Sequence, residues 1–171
     1  DTDRSRGLGD VYKRQYIYPV TRVFSSGINL LMSLIPLIIA ALITGEKITW
    51  AFLMLPYILI CVMIFTMGFG MILAAAMTFF RDMQFLWGVL SMLWMYLTPL
   101  FYPISIVPKQ VQGLVLNNPM YYFVNAFRTI ILEGITPRPV VFCQCTVVAL
   151  VMLGIGSLIF KKTQDKFIFY I

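Results

Sequence analysis

The chain has 171 residues, 60% of them hydrophobic and only 12% charged, with a net charge of +6. A soluble domain carries about 45–50% apolar and about 25% charged residues, so water could not be the solvent for this much apolar surface and a bilayer is expected instead. Disorder is excluded because it needs low hydrophobicity, and the lack of any histidine removes His-based acid–base catalysis, Ser–His triads and His metal sites.

Residues 1–15 (DTDRSRGLGDVYKRQ) differ in composition from all that follows. They are charged and glycine-containing, without the apolar stretch of a signal peptide. Residues 5–15 back-translate to a string like a transposase-type sequencing adaptor, so the leader reads as a non-native library scar. The plainer reading is a natural basic cytoplasmic tail. Without the leader nine Lys/Arg and four Asp/Glu remain, spread along the chain. That suits juxtamembrane anchoring to lipids better than nucleic-acid binding, which wants a basic stripe.

A helix crossing a hydrocarbon core of about 30 Å needs about 20 apolar residues. Four segments reach or approach this, over about 23–44, 50–78, 84–102 and 140–160, and none contains a charge. Ser26, Asn29 and Ser33 on the first, and Thr66, Gly70 and Ala74 on the second, read as helix-packing positions, with Asn29 a candidate interhelical hydrogen bond. Gly45–Ile48 reads as a tight turn, and Arg81–Asp82 as another, with Asp82 capping the third span. Residues 103–139 carry five prolines. They are too interrupted to span and too apolar for a free loop, so two short helices in a re-entrant or interfacial hairpin are expected. Pro108 suits the first turn of one. Asn118 as N-cap with Pro119 at the first position starts the other, and Gly134 stops it. The fold class is therefore all-α and integral to the membrane: about four transmembrane helices, with a short hairpin before the last.

Orientation follows Lys/Arg placement. Arg22, Arg81, Lys161, Lys162 and Lys166 fall on one side, and Lys47, Lys109, Arg128 and Arg138 on the other. The first set is the better cytoplasmic candidate, because Arg128 sits in an apolar helix and Lys109 in the hairpin.

Three patterns carry possible function. Trp87, Ser91, Trp94 and Thr98 share one side of the third span by their spacing. That stripe offers rings for stacking on sugars and hydroxyls for hydrogen bonds, or simply packs against a neighbour with one Trp in an interfacial belt. Pro99 and Pro103 break the chain near Tyr102, as a gate or pore mouth would, or an ordinary helix end. Tyr121, Asn125 and Arg128 lie at i, i+4, i+7, and Arg128 either snorkels to headgroups or meets an anionic substrate or a gate partner. Cys61, Cys143 and Cys145 form no disulfide framework. The acidic residues form no paired-carboxylate site, and there is no GxxxxGK phosphate loop. No metal site and no catalytic centre are expected, which leaves a membrane-embedded enzyme or a non-transporting scaffold as minor readings.

The ordered set FFRD (Phe79–Asp82), YLTPLFYP (Tyr96–Pro103), Val107-Pro108, LNNP (Leu116–Pro119), AFR (Ala126–Arg128), Glu133-Gly134 and the tail LIFKK…DKF resembles the permease subunit of ABC-2-type polysaccharide exporters. That family moves O-antigen, capsular polysaccharide and teichoic acid. The resemblance covers about Tyr16 to Ile171, and the tail looks most like Gram-positive members. It implies a bacterial cytoplasmic-membrane protein of six spans, of which these are the last four. It also implies a homodimer and a separate ATPase subunit that would hold ATP and magnesium, with no cofactor in this chain. Tyr18, Pro19 and Arg22 would then lie where the permease meets its ATPase. The Pro103–Pro139 hairpin, with Asn118, Pro119, Tyr121, Asn125 and Arg128, would form the outer gate. Trp87, Ser91, Trp94, Thr98 and Tyr102 would lie along the path of a polysaccharide or lipid-linked polymer. Related ABC-2 permeases export drugs or lipids, which is the alternative cargo.

Overall fold

A computed structural model describes residues 2–43, 49–80, 82–100 and 102–164, with side chains from residue 21 onward except those of Thr78 and Gln164. Gly45–Ile48, Arg81, Lys47 and Lys166 lie outside the described residues. Helix α1 runs Thr2–Ile43, and a 3₁₀ turn (Trp50–Met54) leads into α2 (Leu55–Phe79). Then come α3 (Met83–Leu97), a second 3₁₀ turn (Ile104–Ile106), α4 (Lys109–Leu116), α5 (Pro119–Ile131) and α6 (Pro139–Gln164). No strand occurs among the described residues.

Three stretches are long and apolar enough to cross a membrane: Thr21–Ile43, Trp50–Met77 and Pro139–Thr163. The fourth expected span falls short. Helix α3 has 15 residues, a rise of about 22 Å against a core of about 30 Å. Its end is dictated by Pro99. The ring of a proline pushes the preceding residue out of the helical region, and Thr98 sits at φ −89°, ψ 122°. At the break itself Thr98 and Pro99 are both buried, and the chain is exposed again at Leu100. The ring of Phe123 on α5 packs 5.6 Å from that of Phe65, about three turns into α2. The α4–α5 hairpin therefore packs against the middle of α2, beside the end of α3.

Local signals explain most boundaries. Pro56 and Pro119 occupy first-turn positions of α2 and α5, where a missing N–H costs nothing. The Asn118 side chain accepts from the Met120 backbone N–H, as an N-cap should. Pro108 stands one residue earlier than expected, at the N-cap of α4. Gly134 adopts φ 61° just past α5, the left-handed conformation that glycine takes without strain. Asp82 departs from expectation. It holds the N-cap place of α3, but its backbone is helical (φ −76°, ψ −6°) and its side chain caps nothing. Only its carbonyl takes part, accepting from Phe85 and Leu86 N–H at 3.1 Å. A side-chain cap needs an extended backbone at that residue.

The core is built on α2. Leu55, Ile58, Cys61 and Phe65 pack with Phe123, Ala126 and Ile130 of α5 and with Cys145 and Ala149 of α6. Helices α2 and α6 share the most extensive contact. Tyr57 meets Phe142 and Thr146 near both starts, Gly68 meets Gly156 midway, and Met71 meets Phe160 near both ends. The two helices therefore run parallel. A Cβ on Gly156 would collide with the Gly68 backbone, and one on Gly68 with the backbone of Met152 and Leu153. Here glycine is required so that two backbones can touch. Of the small-residue stripe expected on α2, Ala74 packs beside Met71 and Phe160, whereas Gly70 has open space where a Cβ would go and Thr66 faces a cavity. On α1, Asn29 is exposed, and its carbonyl accepts from Ser33 Oγ at 2.9 Å. The glycine of α1 that packs is Gly27, against Met63.

Candidate functional site

Helix α3 buries none of its residues, yet one face is organised. Trp87, Ser91, Trp94 and Thr98 line a single cavity of about 350 Å³, with Phe65, Thr66 and Phe69 of α2 opposite and Met120 and Val124 of α5 at one end. The expected stripe is thus one wall of an open-sided cavity. The rings form a cluster. Phe69 lies 5.1 Å from Trp94 at 88° and 5.1 Å from Trp87 at 50°. The two indoles are 6.2 Å apart at 77°, and Phe65 stacks on Phe69 at 6.2 Å. Such edge-on and offset arrangements suit the ring quadrupoles.

The polar groups of the stripe are largely occupied. Ser91 Oγ donates to the Gly88 carbonyl at 2.9 Å, and Thr98 Oγ1 donates to the Trp94 carbonyl at 2.9 Å. Trp94 Nε1 donates to Asn118 Oδ1 at 3.1 Å, and Asn118 Nδ2 donates to Thr98 Oγ1 at 2.9 Å. Three side chains therefore close a ring that joins the end of α3 to the start of α5. The lining that remains is aromatic and aliphatic.

The broken end of α3 is satisfied from the hairpin. A helix leaves its last carbonyls without internal partners, and irregular backbone at membrane depth survives only where protein satisfies it. The Arg128 guanidinium donates to the carbonyls of Pro99 at 3.0 Å and Leu100 at 3.3 Å. Arg128 thus ties α5 to the chain just past α3, through two backbone oxygens. Tyr102 belongs to the same end and not to the cavity wall, since its hydroxyl donates to the Tyr96 carbonyl at 2.7 Å. Pro103 precedes the second 3₁₀ turn in an extended conformation.

The remaining expected residues are dispersed. Tyr121 packs its ring edge-on to Tyr122 at 5.9 Å, and Asn125 is half-buried on α5. Arg22 is exposed at the start of the apolar part of α1, and Asp82 is exposed between α2 and α3. The side chains of Tyr18 and Pro19 lie outside the described residues, as does Arg81. No group of three or more His, Cys, Asp or Glu gathers among the described residues.

Phe65 and Phe69 were not singled out by the sequence, although their four-residue spacing on a buried helix was the available signal. A second cavity, of about 320 Å³ and wholly apolar, lies between α1, α2 and α5 and shares Leu100 and Val124 with the first.

The pattern of the ABC-2 type transporter family matches residues 10–132. The O-antigen export system permease protein RfbA of Myxococcus xanthus is 27% identical over 168 residues, covering 97% of this chain and 65% of that protein. Two proteins of the same name from Klebsiella pneumoniae are 27% and 24% identical, each covering 92% of this chain and 60% of the relative. The chain thus spans 60–65% of the length of these curated relatives. With that match running across the aromatic cavity and the hairpin that closes it, the chain belongs to the ABC-2 type transporter family.

Proposed function

We propose that the chain is part of the permease of an ATP-driven exporter that moves a polysaccharide or teichoic-acid-type polymer across the bacterial cytoplasmic membrane. The observation that carries this reading is the match, over nearly the whole chain, to three permeases named for O-antigen export. Two permease copies would enclose the path. A separate ATPase, holding ATP and magnesium, would dock at the end that bears Tyr18, Pro19 and Arg22. ATP binding there moves cargo only if it favours one packing of the permease over another. The cavity supports the substrate role. Trp87, Trp94 and Phe69 present flat rings, on which the C–H faces of sugars stack with little loss of sliding.

A second reading has lipid or another apolar molecule as cargo. The observation in its favour is that the Ser91 and Thr98 hydroxyls are spent on backbone carbonyls, which leaves an apolar lining. Deleting the gene in its source and restoring it separates the two. Loss and return of surface polymer with unchanged lipid export supports the first reading; the reverse supports the second. Within the first, Trp87→Ala with Trp94→Ala lowers polymer export while the permease still assembles with its ATPase. Undiminished export in that double variant removes the cavity from the path. Sequencing the source DNA upstream of residue 16 tests whether residues 1–15 are a scar.

A further inference from the structure

The indole of Trp94 stands on a helix with no buried residue, so α3 alone does little to fix it. Its ring contacts are edge-on, with Phe69 at 88° and Trp87 at 77°. Such contacts tolerate rotation, whereas a hydrogen bond is directional. The indole N–H can only donate, and the carbonyls of a helix interior are already used. The acceptor comes from outside α3, as Asn118 Oδ1 at 3.1 Å.

Asn118 is itself immobilised. It is 5% exposed. Its oxygen also accepts from Met120 N–H at 3.1 Å, and its nitrogen donates to Thr98 Oγ1 at 2.9 Å. Turning the amide over would set its N–H₂ against two donors, so the orientation is fixed by the network. Thr98 closes the ring by donating back to the Trp94 carbonyl. Capping α5 would need only the bond to Met120. The bonds to Trp94 and Thr98 go beyond that need.

We propose that Asn118 is a positioning residue which sets the Trp94 indole in the cavity, so that the inner end of the α4–α5 hairpin decides the shape the cavity offers its cargo. Withdrawal of the hairpin carries Asn118 away and leaves the indole N–H without a partner among apolar side chains, and the ring must turn. The functional half of this proposal rests on the reading of the cavity as the polymer's path.

The test uses the permease in the longest form its gene encodes, in nanodiscs, with Trp50→Phe, Trp87→Phe and Phe at any tryptophan outside these 171 residues, so that Trp94 is the one emitter. Asn118→Ala is expected to shift the Trp94 emission maximum and raise its quenching by acrylamide, with helix content by circular dichroism unchanged. Asn118→Asp keeps an acceptor for both N–H groups and is expected to restore the native emission, which separates positioning from simple misfolding. Unaltered emission and quenching in Asn118→Ala overturns the proposal. In cells, Asn118→Ala is expected to lower surface polymer at least about threefold at equal membrane level, and to add nothing further in a Trp94→Phe background, as residues acting through one contact do. Independent, multiplying losses overturn it as well. Suppose instead that the emission shifts as expected while Asn118→Ala and Trp94→Ala both leave surface polymer intact. Then the cavity is not the polymer's path, and the functional half falls with that reading.

Discussion

Two regions of the molecule hold helices together by opposite means. The α2–α6 pair touches backbone to backbone at Gly68 and Gly156, with apolar side chains closing above and below. The α3–hairpin region touches mainly through a few directed bonds, from Asn118 and Arg128 to the end of α3, around a cavity of about 350 Å³. Close packing has one good geometry and resists being parted, because interiors respond to volume changes as small as a methylene. A handful of hydrogen bonds can be exchanged for others at small net cost. The first region is built as a fixed frame, and the second is the one whose contacts cost less to exchange.

The sharpest way to break that contrast is to add volume at the frame. Gly156→Leu cannot be accommodated against the Gly68 backbone, and the folded fraction in equilibrium detergent unfolding should collapse. Gly68→Ala is expected to cost about 1–3 kcal/mol in the same assay, the usual range for overpacking. Arg128→Met comes next. It strips the Pro99 and Leu100 carbonyls of a charged donor, worth about 1.5–3 kcal/mol, and should lower the thermal midpoint while leaving near-ultraviolet signals of the α2–α6 aromatics in place. Thr98→Val keeps the shape but opens the three-residue ring, for about 1 kcal/mol, read by the same unfolding curve. The smallest effect is expected at Gly70, only two residues from Gly68. With open space at its Cβ position, Gly70→Ala should stabilise α2 by about 0.5–1 kcal/mol. If Gly68→Ala and Gly70→Ala behave alike, the frame is not held by backbone contact and the comparison fails.

The long elements were legible because hydropathy over 20 or more residues is a strong signal, and α1, α2 and α6 lie where the apolar runs do. Asn118-Pro119 and Gly134 were legible because caps and left-handed stops are set by local chemistry alone. The end of α3 was partly legible: Pro99 was seen as a breaker, yet the apolar run past it to Tyr102 suggested a longer span. What sequence could not supply was partnership. Periodicity puts Thr66, Gly70 and Ala74 on one face of α2 but does not say that the neighbouring backbone arrives at Gly68. Nor does spacing reveal that Trp94 and Asn118, 24 residues apart, share a hydrogen bond, or that Arg128 spends its charge on carbonyls 28 and 29 residues upstream. Those facts are fixed by where the α4–α5 hairpin comes to rest. For the stripe itself, spacing put Trp87, Ser91, Trp94 and Thr98 on one side, where they line one cavity, and missed the opposite wall, Phe65 and Phe69, because aromatic residues in a wholly apolar helix do not stand out.

The parallel pairing of α2 with α6 sets a timetable for biosynthesis. Tyr57 and its partner Thr146 are 89 residues apart in the chain. At a synthesis rate of about 5–20 residues per second, α2 waits roughly 5–18 s before the helix that fits its glycine face leaves the ribosome. During that interval α3, α4 and α5 are made in turn, while the groove meant for α6 stands open. The newborn chain must keep the glycine face of α2 unsatisfied until α6 arrives, so any truncation that removes α6 is expected to leave that face exposed to quality-control proteases.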